Sequence, residues 1–176
     1  TPDFGTDDLP LDNTPDMYEG MKNLGYMFTL ASNDVHTVHV NACGPQFTRL
    51  HEIANTLYDY LADCADSCFE IGCEDGGYVD INNAASYINW QPFSTRTGYN
   101  LETGIQVIIN TLHTLTSNIG SIYNVCTSDI QSTLDEWTRY LNSQMNYFLK
   151  RIQGCDCDTL PDVCYGTCPE MGMYTT

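Results

Sequence analysis

The stretch His36-Thr37-Val38-His39-Val40-Asn41-Ala42-Cys43-Gly44-Pro45-Gln46-Phe47-Thr48-Arg49-Leu50-His51-Glu52 decides the fold. Glycine supplies the turn conformation that ends one helix and proline suits the first turn of the next, so Gly44-Pro45 predicts a helix-turn-helix hairpin. His39 stands six residues before Pro45 and His51 six after it. At about 1.5 Å of rise per residue, both histidines lie roughly 9 Å from the bend and can face each other across the hairpin.

Asp66 and Glu70 follow on the second helix, one turn apart on a shared face, where they form a half-site for a hard cation. Asp66 lies fifteen residues beyond His51, which is about 22 Å of straight helix. One copy therefore cannot close His39, His51, Asp66 and Glu70 around a single ion. A two-fold axis that sets this helix antiparallel to its mate would bring one subunit's histidines to the other's carboxylates, giving mixed nitrogen and oxygen sites in a dimer. His36, one turn before His39, reads as a surface or interface histidine, with an auxiliary metal ligand as the alternative. Asn55 and Asp63 are further auxiliary candidates.

Periodicity extends the hairpin into a bundle. Thr14 and Pro15 read as the cap and first turn of a helix with Met17, Met21, Leu24, Ala31, Val35 and Val38 on its buried face. The second helix, from about Pro45 to Ile71, sets Leu50, Ile53, Leu57, Leu61, Cys64, Cys68 and Ile71 opposite Glu52, Asn55, Asp59, Asp63, Asp66 and Glu70. Such a polar stripe is ordinarily a solvated face, but this one carries no lysine or arginine. Cys64 and Cys68 read as core filler, since residues four apart on a helix are poorly placed for a disulfide. Residues 72–100 break the period, with a short helix expected within Val79 to Ile88 and a loop at Trp90-Gln91-Pro92. Asn100 caps a third helix carrying Leu101, Ile105, Ile108, Leu112, Leu115, Ile119 and Ile122, with His113 read as structural beside that seam. Ser128-Asp129 starts a fourth, with Ile130, Leu134, Trp137, Leu141, Met145, Phe148 and Ile152. The expected fold is all-α, a four-helix bundle of ferritin type whose long crossover between the second and third helices carries the short helix. Residues 1–13 form an acidic N-terminal tail, 14–153 the bundle and 154–176 a cysteine-rich C-terminal tail.

The series His39, Asn41, Gly44, Pro45, Phe47, Leu50, His51, Glu52, then Asp66 and Glu70, resembles the signature of the Dps-type mini-ferritins, the DNA-binding proteins from starved cells. The match runs from Val35 to Glu70, and the helix layout extends it to about Gln153. The resemblance implies a ferroxidase: an iron-oxidising centre at His39, His51, Asp66 and Glu70, shared between subunits of a hollow, twelve-membered shell that takes up Fe2+ and stores Fe3+. It also implies three-fold pores bordered by the start of the fourth helix, with Asp129 and Asp135 as the candidates. The family's usual tryptophan after the first histidine is replaced by Val40, and its frequent aspartate four residues after the second by Asn55. The rival expectation is a non-enzymatic structural shell or virion-associated protein that keeps the bundle without turnover.

Composition narrows the partners. Six Lys and Arg against 23 Asp and Glu leave a formal charge of -17, which repels phosphate backbones and favours metal cations or basic partners. The first thirteen residues contain Asp3, Asp7, Asp8 and Asp12 and no base, so direct DNA binding is disfavoured. No apolar run is long enough for a membrane span, and Thr1 to Asn13 does not read as a signal peptide. The chain lacks an initial methionine, which leaves room for a processed leader. The expected setting is the cytoplasm, with a virion or the extracellular space as alternatives. Nine cysteines leave at least one unpaired within a monomer. Cys155, Cys157, Cys164 and Cys168 admit disulfides, a tetrahedral zinc site or free thiols, and their spacing does not choose among them.

Overall fold

The computed structural model describes residues 16–153 of the chain. In order these are α1 (Met17–Val40), α2 (Phe47–Gly72), the short α3 (Ala84–Tyr87), α4 (Leu101–Ile122), α5 (Ser128–Ser143) and α6 (Lys150–Gln153). α1 lies along α2 and also packs on α4, and α4 packs on α5. The described residues thus form the expected four-helix bundle with a long crossover. No strand occurs among them, and an isolated parallel bridge pairs Ala42 with Tyr99.

α1 begins where Asp16 caps it, the carboxylate accepting the Glu19 N–H at 2.8 Å. That bond satisfies one of the orphan donors of the first turn. The start expected from Thr14 and Pro15 falls outside the described residues, and the first helical residue is Met17. Gly44 takes φ +84° in the hinge, a left-handed conformation that side chains resist. The hinge is tied to the entry of α4 by Cys43 N–H to the Tyr99 carbonyl at 2.8 Å and Tyr99 N–H to the Asn41 carbonyl at 2.9 Å. Asn100 then caps α4 through a reciprocal box with Thr103, as its sequence position predicts.

The crossover is fastened by a buried carboxylate. Asp34 of α1 is 3% exposed. It accepts the Trp90 indole N–H at 2.9 Å, the Ser94 hydroxyl at 2.6 Å and the backbone N–H groups of Phe93 and Ser94 at 3.3 and 3.2 Å. Four donors thereby compensate one buried carboxylate, with no cation paired to it among the described residues. At the other end of α1, Lys22 pairs with Asp75 at 2.9 Å, fixing the turn that follows α2.

The core is the set of apolar faces read from periodicity. Leu50, Leu57, Leu61, Ile105, Ile108, Leu112, Leu115, Ile119 and Leu134 are fully buried, each worth about 1.5–3 kcal/mol relative to exposure. Trp137 meets Phe28 edge-on with ring centroids 5.5 Å apart. The fourth helix departs from the expected uniform α period, because Gln144–Leu149 form a π turn joining α5 to α6. A widened turn slips the register by one residue. Leu149, 1% exposed, joins Leu141 and Met145 in the core, and the side chain of Phe148, which the sequence reading placed there, is outside those described.

Candidate metal centre

The hinge sets the ends of α1 and α2 together and stacks His39 on His51, with ring centroids 3.8 Å apart and planes 26° from parallel. Their hydrogen bonds are reciprocal. Nδ1 of His39 lies 2.9 Å from the His51 carbonyl, and Nδ1 of His51 lies 3.0 Å from the His39 carbonyl. A carbonyl only accepts, so each Nδ1 must carry its proton. For a neutral ring this leaves the lone pair on Nε2, the arrangement by which a backbone carbonyl orients a metal-binding imidazole. Both rings are half-buried.

Around this pair lies an aromatic collar. Phe47 sits 5.2 Å from His51, Tyr58 sits 5.2 Å from His39, and the exposed His36 stacks on Tyr58 at 4.3 Å. Tyr58 is further held by its backbone carbonyl, which accepts the Ser32 hydroxyl at 2.9 Å. The sequence reading missed Tyr58. Its signal was position, seven residues after His51 and so two turns along the same face.

Asp66 and Glu70 are exposed on α2, as are Asn55 and Asp63. Asp66 borders a cavity of about 240 Å³ with Thr29, Ser32, Asn33, Phe69 and Ile81. Among the described residues, no three His, Cys, Asp or Glu side chains converge on a common point within one chain. The histidine pair and the acidic pair are thus separate half-sets on the single copy.

The remaining candidates fall elsewhere. Asp129 accepts the Thr127 hydroxyl, which holds its carboxyl below the usual range, and Asp135 accepts the Tyr123 hydroxyl at 3.0 Å, both at the surface beside the start of α5. His113 is exposed on α4 beside a polar groove. Cys64 and Cys68 are buried free thiols, as expected of filler, and burial pushes the Cys64 thiol up to about 12. Cys155, Cys157, Cys164 and Cys168 lie outside the described residues.

The sequence matches no family model and no curated protein. The fold does have solved counterparts. Dps from Listeria innocua, soaked with cobalt, superposes with a TM-score of 0.71 at 15% identity, over 81% of this chain and 94% of that one. CAIP from Helicobacter cinaedi gives 0.69 at 17%, over 78% and 99%. Dps from Mycobacterium smegmatis gives 0.66 at 15%, over 76% and 83%. No helix of the described residues is long and apolar enough to cross a membrane. With nearly the whole length of these counterparts matched, the chain has the ferritin-like four-helix fold of the Dps-type mini-ferritins.

Proposed function

We propose that this protein is an iron-storage mini-ferritin, which assembles into a closed shell of twelve copies, oxidises Fe(II) at sites shared between two-fold mates and keeps Fe(III) inside. The observation that carries this reading is the reciprocal pairing of His39 and His51, which fixes both rings and reserves both Nε2 atoms for a ligand. Imidazole nitrogen with carboxylate oxygen suits ferrous iron, the substrate here. Asp66 and Glu70 of the mate would complete the site and favour the product, since two anionic oxygens stabilise the higher charge of Fe(III). With peroxide as oxidant, two Fe(II) ions each give up one electron, the O–O bond breaks, and two protons are taken up to release two waters. His36, Asn55 and Asp63 serve as auxiliary ligands, and Asp129 and Asp135 line the route of entry.

A second reading is favoured by the same hydrogen bonds. The two histidines staple α1 to α2, so their pairing also suits a structural shell without turnover. His51→Ala and Asp66→Asn separate the two. Under the iron reading, both variants lose most Fe(II) oxidation, followed as ferric absorbance, while the native mass persists. Unchanged oxidation in both, with the shell intact, leaves only the structural protein.

A further inference from the structure

A groove of about 330 Å³ runs between the first half of α2 and the end of the fourth helix. Its floor is apolar, made by Ile53 and Leu57 of α2 with Leu149 of the π turn and Ile152 of α6, and Arg49 and Glu52 stand on its rim. The described chain ends at Gln153, one residue after the floor residue Ile152, and 23 residues follow.

We propose that this chain's own residues 160–165, Leu160 to Tyr165, seat in that groove. Length permits it. Leu160 is seven residues beyond Gln153, a reach of up to about 24 Å, and Ile53 and Leu57 are one helical turn apart. Gly154 follows α6 directly, and glycine is the residue that lets a chain reverse at a helix end. Chemistry favours it too. Leu160, Pro161, Val163 and Tyr165 supply apolar side chains for the floor. Charge agrees in sign at Arg49, one of the chain's six Lys and Arg and part of the lining, whereas residues 154–176 contain Asp156, Asp158, Asp162 and Glu170 and no base. The proposal is independent of the iron reading.

Carbene footprinting of the full-length chain tests it, comparing the wild type with a Leu160→Asp, Val163→Asp double variant. Both positions follow the last described helix in sequence, and labelling of α4 serves as the internal control for folding of the variant. Docking is supported if residues 49–57 and 149–152 become labelled several-fold more in the variant while α4 does not change. Equal labelling of the two proteins overturns it. Protection that survives the substitutions and grows with protein concentration also overturns it, because a second copy then fills the groove. In a third protein, full-length Arg49→Glu, labelling of the groove is expected to rise part of the way toward the double variant, and no rise removes the charge contribution.

Discussion

At His39 and His51, one set of bonds serves two ends. Each ring donates to the other residue's carbonyl, so truncating either side chain removes one bond directly and takes from the surviving ring its stacking partner, leaving it only the collar contact with Tyr58 or Phe47. The two losses should not add. A double-mutant cycle built from His39→Ala, His51→Ala and the double variant, read by denaturant unfolding without metal, is expected to give a coupling of about 1–2 kcal/mol. Additive costs would mean that the rings are held by the hinge rather than by each other. The hinge itself rests on Gly44 at φ +84°. Gly44→Ala is expected to cost about 1–2 kcal/mol in the same assay, since an alanine there must accept left-handed strain.

The pair Lys22 and Asp75 carries a pH dependence with a defined sign. Asp75 is held below the usual carboxylate range first by the Lys22 ammonium and then by the Gly77 N–H, and Lys22 is held above the usual lysine range by its hydrogen bond to Asp75. A lowered acid stabilises above its unfolded value, about 3.9, and loses this as pH falls through the folded one. A raised base stabilises below its unfolded value, about 10.4, and loses this as pH rises through the folded one. The pair therefore contributes fully between those limits. Asp75→Asn should be less stable than the wild type at pH 7, and the difference should vanish in acid below the carboxylate range. Thermal melts at the two pH values check this, and a gap that persists in acid would exclude the ion pair as its source.

Among the elements, the crossover depends most on a single side chain. Replacing Asp34 by alanine strands the Trp90 indole N–H and the Phe93 and Ser94 amides, and a buried donor without a partner costs about 1–3 kcal/mol. Asp34→Ala is thus expected to lower stability by at least about 2 kcal/mol and to shift Trp90 emission to the red as the loop opens. This latch was not legible in the sequence, because its donors stand 56 to 60 positions away from their acceptor. Helices α1, α2 and α4 were legible, because their apolar positions repeat locally at steps of three and four. The same reasoning missed the π turn, since Leu141, Met145 and Leu149 fit an α period almost as well as Phe148 does, and only the packing decides. The start of α1 differed for a related reason: Thr14 and Asp16 are both good caps, and sequence position ranks them equally. At the centre, the facing of His39 and His51 followed from equal distances to Pro45, whereas their reciprocal bonding and the Tyr58 collar required coordinates. Whether Asp66 and Glu70 meet a mate's histidines is a property of two chains, beyond what periodicity in one can express.

For the whole molecule, charge sets the conditions under which any shell can exist. Each copy carries -17, so twelve together carry twelve times that, about -204, and their repulsion acts over the Debye length. That length is about 30 Å at 0.01 M salt and about 8 Å at 0.15 M. The proposed shell should therefore be favoured by salt: light scattering is expected to give about 236 kDa at 0.15 M, twelve times the 19.7 kDa chain, and to shift toward dimers at 0.01 M. The same charge bears on nucleic acid. A protein that neutralises phosphates binds DNA more tightly as salt falls, whereas this chain should fail to retard duplex DNA even at 0.01 M, where attraction would be strongest. A mass that does not respond to salt would show that the interfaces outweigh the repulsion. Retention of DNA at low salt would require a cationic surface that six Lys and Arg, opposed by 23 Asp and Glu, would have to concentrate on one face of the assembly.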